Sequence, residues 1–226
     1  MHAIRVRRLD FRMACAAILI SMTAAVQADP FQNGSFESPG GPAGTRIVVA
    51  DGPSATVTGW TNSGGLQVYA AVNGTDAVVP YDGDFYVSFG HSGVIGGQFS
   101  QTFDTLPGQP YQATYFVTQQ QGINLTQAAS VEALDGVVSL GQVVSVIPPY
   151  VNNDPFQWFA GTPLNFIATS ASTTLRFTDM TPLGGGSNWG LDLVQITPIP
   201  EPSACVLLAT AVALLGWRAR RIAIAS

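Results

Sequence analysis

From Arg46 to Thr197 the chain is cut into short runs in which apolar residues fall at every second position or in which β-branched and aromatic residues dominate. Gly, Pro, Asn and Asp bound nearly every run. Period-two alternation puts one set of side chains on one face of a strand, so this pattern predicts β structure. The predicted strands are Arg46 to Ala50, Ala55 to Trp60, Leu66 to Val72, Asp84 to Phe89, Gln98 to Phe103 and Tyr111 to Thr118. Six more follow at Ser130 to Leu134, Gln142 to Ile147, Phe156 to Phe159, Leu164 to Ala168, Thr173 to Thr178 and Gly190 to Thr197. Phe85, Val87 and Phe89 share one face of their strand, and Leu175 and Phe177 do so in theirs, so both sets are candidate core. The two chain ends break the pattern: Met13 to Val26 and Ala204 to Trp217 are apolar without alternation.

Composition sharpens this picture. With 24 Gly and 15 Pro in 226 residues, and only 10% charged, the chain is turn-rich and poorly suited to coiled coil or polar disorder. The spacing of strands is that of a single all-β sandwich, residues 29–197, with a signal helix before it and a hydrophobic helix after it. All nine basic residues are Arg, and seven of them lie at the ends. Between Asp29 and Pro202 only Arg46 and Arg176 face thirteen acids, a net charge of −11 that repels phosphate backbones and excludes nucleic acid as a partner. The two cysteines, Cys15 and Cys205, both fall in the end segments, so the body has no thiol chemistry.

Residues 1–28 read as a secretory signal. Arg5, Arg7, Arg8 and Arg12 precede the apolar run, and signal peptidase is expected to cut between Ala28 and Asp29. An uncleaved anchor is the other reading, but fourteen apolar residues are short for a ~30 Å hydrocarbon core. At the other end Pro200, Glu201 and Pro202 precede an apolar segment, 204–217, closed by Arg218, Arg220 and Arg221. This order, over residues 198–226, resembles the PEP-CTERM sorting signal of Gram-negative bacteria. The resemblance implies that an exosortase-type enzyme reads the Pro-Glu-Pro, that the chain is anchored in the membrane transiently, and that it ends in the envelope or outside the cell. It further implies an association with exopolysaccharide.

The body carries a second resemblance. Phe31-Gln-Asn-Gly-Ser-Phe-Glu37, Gly59-Trp60, Tyr81-Asp-Gly-Asp-Phe-Tyr-Val-Ser-Phe89, the Gly97 to Phe103 run, Gly108-Gln-Pro-Tyr111 and Leu191-Asp-Leu-Val-Gln-Ile-Thr197 resemble, in that order, secreted jelly-roll domains of the choice-of-anchor and galactose-binding-like families. The resemblance implies a jelly-roll β-sandwich in which the Asn-Gly-x-Phe-Glu segment lies beside the last strand. It also implies a structural calcium between them, with Glu37 and Asp192 as oxygen donors; Leu193 stands where a second acid is usual. The residues by themselves leave another reading open, in which Glu37 caps a turn and Asp192 is solvated.

Other candidate chemistry is thin. Asp82-Gly83-Asp84 offers two carboxylates but is first a turn before a strand. His91 beside Ser92 lacks the Gly-x-Ser-x-Gly elbow of a serine hydrolase. Asn33, Asn73 and Asn124 open formal glycosylation triplets, the first two read as turns. Trp60 is expected in the core. Pro148 to Trp158 is a loop by its prolines and Asn-Asn-Asp, and it carries Tyr150 and Trp158, the expected ligand contacts if flat rings stack on sugars; pins for the loop are the competing role. The expectation is a non-catalytic binding or structural module, with an extracellular glycan-active hydrolase as the alternative.

Overall fold

The computed structural model describes residues 30–200 except 39, 41–45, 65, 71–78, 91–95, 120–125, 149–156 and 181–187. The signal segment with Ala28 and Asp29, His91, Tyr150, Glu201, Pro202, the segment 204–217 and the arginines at 218, 220 and 221 lie outside the described residues.

Thirteen strands are formed: β1 (Arg46–Val49), β2 (Gly52–Pro53), β3 (Thr61–Ser63), β4 (Leu66–Ala70), β5 (Phe85–Phe89), β6 (Gln98–Asp104), β7 (Pro110–Gln119), β8 (Gln127–Asp135), β9 (Val138–Ile147), β10 (Trp158–Ala160), β11 (Leu164–Ile167), β12 (Ser172–Asp179) and β13 (Trp189–Pro198). They build two antiparallel sheets. One has the order β1-β4-β5-β13-β7-β10, with β11 also on β7; the other runs β2-β3-β6-β12-β8-β9. Strands β5 to β8 alternate between the sheets, as do β12 and β13, and this crossing gives the jelly-roll sandwich.

The core lies between the sheets and is rich in rings. Trp60 stacks on Phe99 at 4.8 Å, Phe89 on Trp189 at 4.0 Å, and Tyr115 meets Phe177 edge-on at 5.1 Å. Each buried indole N–H is satisfied, Trp60 by Asn33 O at 3.0 Å and Trp189 by Asp179 Oδ1 at 3.0 Å. Phe85, Val87, Phe89, Leu175 and Phe177 are all buried, as their spacing requires. Burial pushes the Tyr115 hydroxyl up to about 12, against a hydrogen bond with Ser145 that lowers it.

Two expectations are corrected. Residues 55–60 form bends and a turn rather than a strand, tied by Val57 N and Thr56 N to Ser54 Oγ; Val57 and Trp60 still enter the core from that turn. The strand falls instead on Thr61–Ser63. The runs around Leu134 and Gln142 are also longer than their apolar cores, since β8 and β9 form one hairpin closed at Gly136-Val137. Gly136, at φ 60°, supplies the left-handed first position that a tight hairpin turn demands.

Candidate functional site

An antiparallel sheet with a core on one side ordinarily offers polar side chains to water on the other. The six-stranded sheet obeys this along the row Thr61, Ser100, Arg176, Glu132 and Gln142, each residue the cross-strand partner of the next. The seven-stranded sheet does not. Its outward row of Ser88, Gly190, Thr118 and Trp158 is buried at the first three positions and half-buried at the fourth.

Local sequence explains the difference. Tyr86 follows Phe85, and Phe116 follows Tyr115, so each strand presents a ring to both faces. Gly190 leaves room between them: a Cβ there would stand 2.9 Å from Thr118 Cγ2 and 3.1 Å from the Tyr86 ring. The Tyr86 ring fills that space, 1% exposed, and meets Trp158 edge-on at 5.7 Å. Tyr81 stacks on Phe116 at 3.6 Å and stands 6.3 Å from Trp158 at a steep angle. Trp158 Nε1 donates to Val79 O at 2.7 Å, which draws the chain before Tyr81 over the face. Trp158, the last residue of the expected loop and part of the expected Phe156 to Phe159 strand, is the first residue of β10, and it belongs to a four-ring cluster with Tyr81, Tyr86 and Phe116.

Beneath this cover sits Asp192. It points outward from β13, yet it is 0% exposed because the turn it holds lies on top of it. Its Oδ2 accepts Tyr81 N at 2.8 Å and Asp82 N at 3.0 Å, and its Oδ1 accepts Leu193 N at 2.7 Å. Leu193 adopts φ 45° at a β-bulge in the pairing with β7, and bulges re-aim neighbouring side chains in this way. Burial pushes the Asp192 carboxyl up to about 7; the three N–H groups pull against that rise, and the nearby Asp82 charge adds to it.

Glu37 holds the other half of the same turn. Its Oε1 accepts Asp84 N and Phe85 N, both at 2.9 Å, and its carboxyl packs on Gly83, whose φ is 66°. Ser35 Oγ donates to Asp82 Oδ2 at 2.7 Å. Gly34 O accepts Val194 N at 2.9 Å, so the Asn33 to Glu37 segment does lie beside the last strand, and a Cβ at Gly34 would overlap Val194 O. The expected pairing of Glu37 and Asp192 is real in one sense: both anchor residues 81–85.

The two carboxylates do not fit a calcium cage. Calcium takes six to eight oxygens. Here three of the four carboxylate oxygens, both of Asp192 and Oε1 of Glu37, meet N–H groups, whose positive ends face the space a cation would need. Among the described residues no group of three or more His, Cys, Asp or Glu converges. The solvated reading of Asp192 is equally corrected by its complete burial.

Residues 29–183 match the protein family described as "Protein of unknown function (DUF642)". Halomucin of Haloquadratum walsbyi (strain DSM 16790 / HBSQ001) is 29% identical over 188 residues, which are 81% of this chain and 2% of halomucin. Among solved structures, a cyclase from Fischerella sp. TAU in complex with 4-(1H-indol-3-yl)butan-2-one is similar at a TM-score of 0.55 and 18% identity, over 76% of this chain and 98% of that one. TmCBM61 in complex with β-1,4-galactotriose aligns at a TM-score of 0.49 and 13% identity, over 76% and 99% of the two chains. At these identities the likeness to the cyclase is one of fold.

Proposed function

The chain belongs to the DUF642 family, and on that premise we propose that it is an exported, non-catalytic module of the cell envelope or extracellular matrix that holds exopolysaccharide on the outward face of its seven-stranded sheet. Two sequence features support export and sorting in this reading: the signal-like segment up to Ala28, and the resemblance of residues 198–226 to a PEP-CTERM signal, in which Pro200, Glu201 and Pro202 would be offered to an exosortase-type enzyme.

One observation carries the binding reading. Four rings gather where a sheet face is ordinarily polar, and the outermost, Tyr81, is 45% exposed with its back against Phe116. Flat rings of this kind take the C–H face of a pyranose, and short polar groups around them orient its hydroxyls. The acids nearby act in support rather than in chemistry: Asp192 and Glu37 hold backbone N–H groups, and Asp82 holds Ser35.

Affinity electrophoresis through polysaccharide gels tests this. Tyr81→Ala removes an exposed ring, so the protein is expected to melt within a few degrees of wild type while losing most of its retardation. Trp158→Ala is expected to lose retardation too, with a larger loss of stability because its indole is half-buried. Unchanged retardation in both variants would remove the face from binding.

A further inference from the structure

The rim of the aromatic face carries a consistent charge. Asp82 follows Tyr81 directly and is exposed; Asp84, also exposed, stands on the same turn, and the exposed Glu37 holds that turn from the neighbouring 33–37 segment. Behind them Asp192 lies against the Asp82 backbone. The chain has no Lys. Arg176 belongs to the outward row of the opposite sheet, where it pairs with Glu132. Arg46, in β1, stands in the same cross-strand row as Tyr69 and Tyr86, two strands from Tyr86 and four from Phe116, on which the exposed Tyr81 lies. Among the described side chains, then, the exposed Tyr81 end of the aromatic face has carboxylates beside it and no cation.

A carboxylate or sulfate on a sugar needs Arg, Lys or free backbone N–H groups to replace its hydration, and the N–H groups of Tyr81, Asp82, Asp84 and Phe85 are already held by Asp192 and Glu37. A sugar hydroxyl needs only an acceptor, and an ionised carboxylate is a strong one. We infer that the face takes glycans free of acidic groups and that Asp82 is the residue that turns acidic polysaccharides away. This inference rests on the glycan-binding reading and names the substrate class for it.

The size of the effect follows from Coulomb's law. Two like charges about 6 Å apart and open to water, at an effective dielectric of about 40 to 80, change an affinity roughly threefold to tenfold. Salt shrinks this, because the screening length falls from about 30 Å at 0.01 M to about 8 Å at 0.15 M.

The test is affinity electrophoresis of the purified protein at low salt through three neutral gels, galactan, glucan and mannan, and three acidic ones, polygalacturonate, polyglucuronate and alginate. Wild type is expected to be retarded by at least one neutral gel, with little salt dependence, and by its acidic counterpart measurably but at least threefold more weakly. Asp82→Asn should shift the acidic-to-neutral ratio of dissociation constants by threefold to tenfold in favour of the acidic polysaccharide, and Asp84→Asn by less. A melting curve shows whether each variant is folded. Retardation by an acidic gel as strong as by its neutral counterpart would overturn the class while leaving glycan binding intact. An unchanged ratio in Asp82→Asn would overturn the role of that residue. No retardation in any of the six gels would overturn the binding reading and this inference with it.

Discussion

The two outward rows of the sandwich are built alike and end differently. Thr61, Ser100, Arg176, Glu132 and Gln142 cross the six-stranded sheet, and Ser88, Gly190, Thr118 and Trp158 cross the seven-stranded one. The first row is hydroxyls, an amide and an ion pair, all able to stay wet, and the next row there adds a cross-strand bond between Thr102 and Thr174 at 2.8 Å. The second row has a gap at Gly190, a ring that fills the gap, and a stretch of chain drawn across by Asp192 and Trp158. A sheet face needs no such cover to be stable, as the first row demonstrates. The covered face is therefore where the chain departs from what the scaffold alone requires.

The largest expected effect comes from emptying the covered face. Tyr86 is 1% exposed although it points away from the core. Tyr86→Ala should cost about 3 to 5 kcal/mol, the usual loss for a buried aromatic. Thr102→Ala, on the opposite face, removes one exposed cross-strand contact and should cost about 1 kcal/mol or less. Urea midpoints of the two variants measure this difference directly. Similar midpoints would mean that the Tyr86 ring is no better packed than a surface side chain, and the contrast between the faces would fall.

The faces should also titrate with opposite sign. Asp192 sits at about 7 in the folded protein, raised from the ordinary 3.8 by burial. A raised carboxyl favours the folded state when protonated, so its contribution is complete below about pH 4 and is lost as pH rises through 7. Three units correspond to at most about 4 kcal/mol. For Glu132, burial would raise the carboxyl, but hydrogen bonds from Ser139 and Arg176 and the Arg176 charge hold it below its ordinary value. Its contribution is present above about pH 4.5 and is lost on acidification. Melting temperatures from pH 4 to 8 should therefore fall in wild type and flatten in Asp192→Asn. A profile unchanged by that substitution would show Asp192 to be ionised throughout.

Much of the sandwich was legible because a period-two pattern and a core have the same cause. Phe85, Val87, Phe89, Leu175 and Phe177 announce their face by spacing alone. The turn at 55–60 was not legible, since Val57 and Trp60 fill the core as strand residues do while Ser54 Oγ holds the backbone in a bend. The aromatic face was half legible. Trp158 stood out as a ring near prolines, but Tyr81, Tyr86 and Phe116 did not. Their signal is adjacency: Phe85-Tyr86 and Tyr115-Phe116 put rings on both faces of a strand, which a half-solvated sheet has no reason to do. Asp192 stood out through its motif, but its burial had no local signal. Its burial depends on a turn about 110 residues away in sequence and on a bulge at Leu193 that no residue type there foretells.

The smallest expected effect lies at the ion pair in the middle of the open row. Arg176 Nη2 reaches Glu132 Oε2 at 2.6 Å, with the side chains 33% and 16% exposed. The guanidinium Nε is buried without a partner, so the pair lacks the two-point geometry that makes arginine contacts strong. Water still reaches both groups, and removing the contact returns them to solvent rather than stranding a charge. A double-mutant cycle with Arg176→Met and Glu132→Gln should give a coupling of about 0.2 to 1 kcal/mol, falling as salt is added. Had this face been sealed like the other, either single change would leave a charge unpaired in a dry site and cost about 3 to 5 kcal/mol. A value of that size, insensitive to salt, would erase the distinction between the open row and the covered one. A coupling near zero would sharpen it, because the open face would then owe nothing measurable to its only described cation.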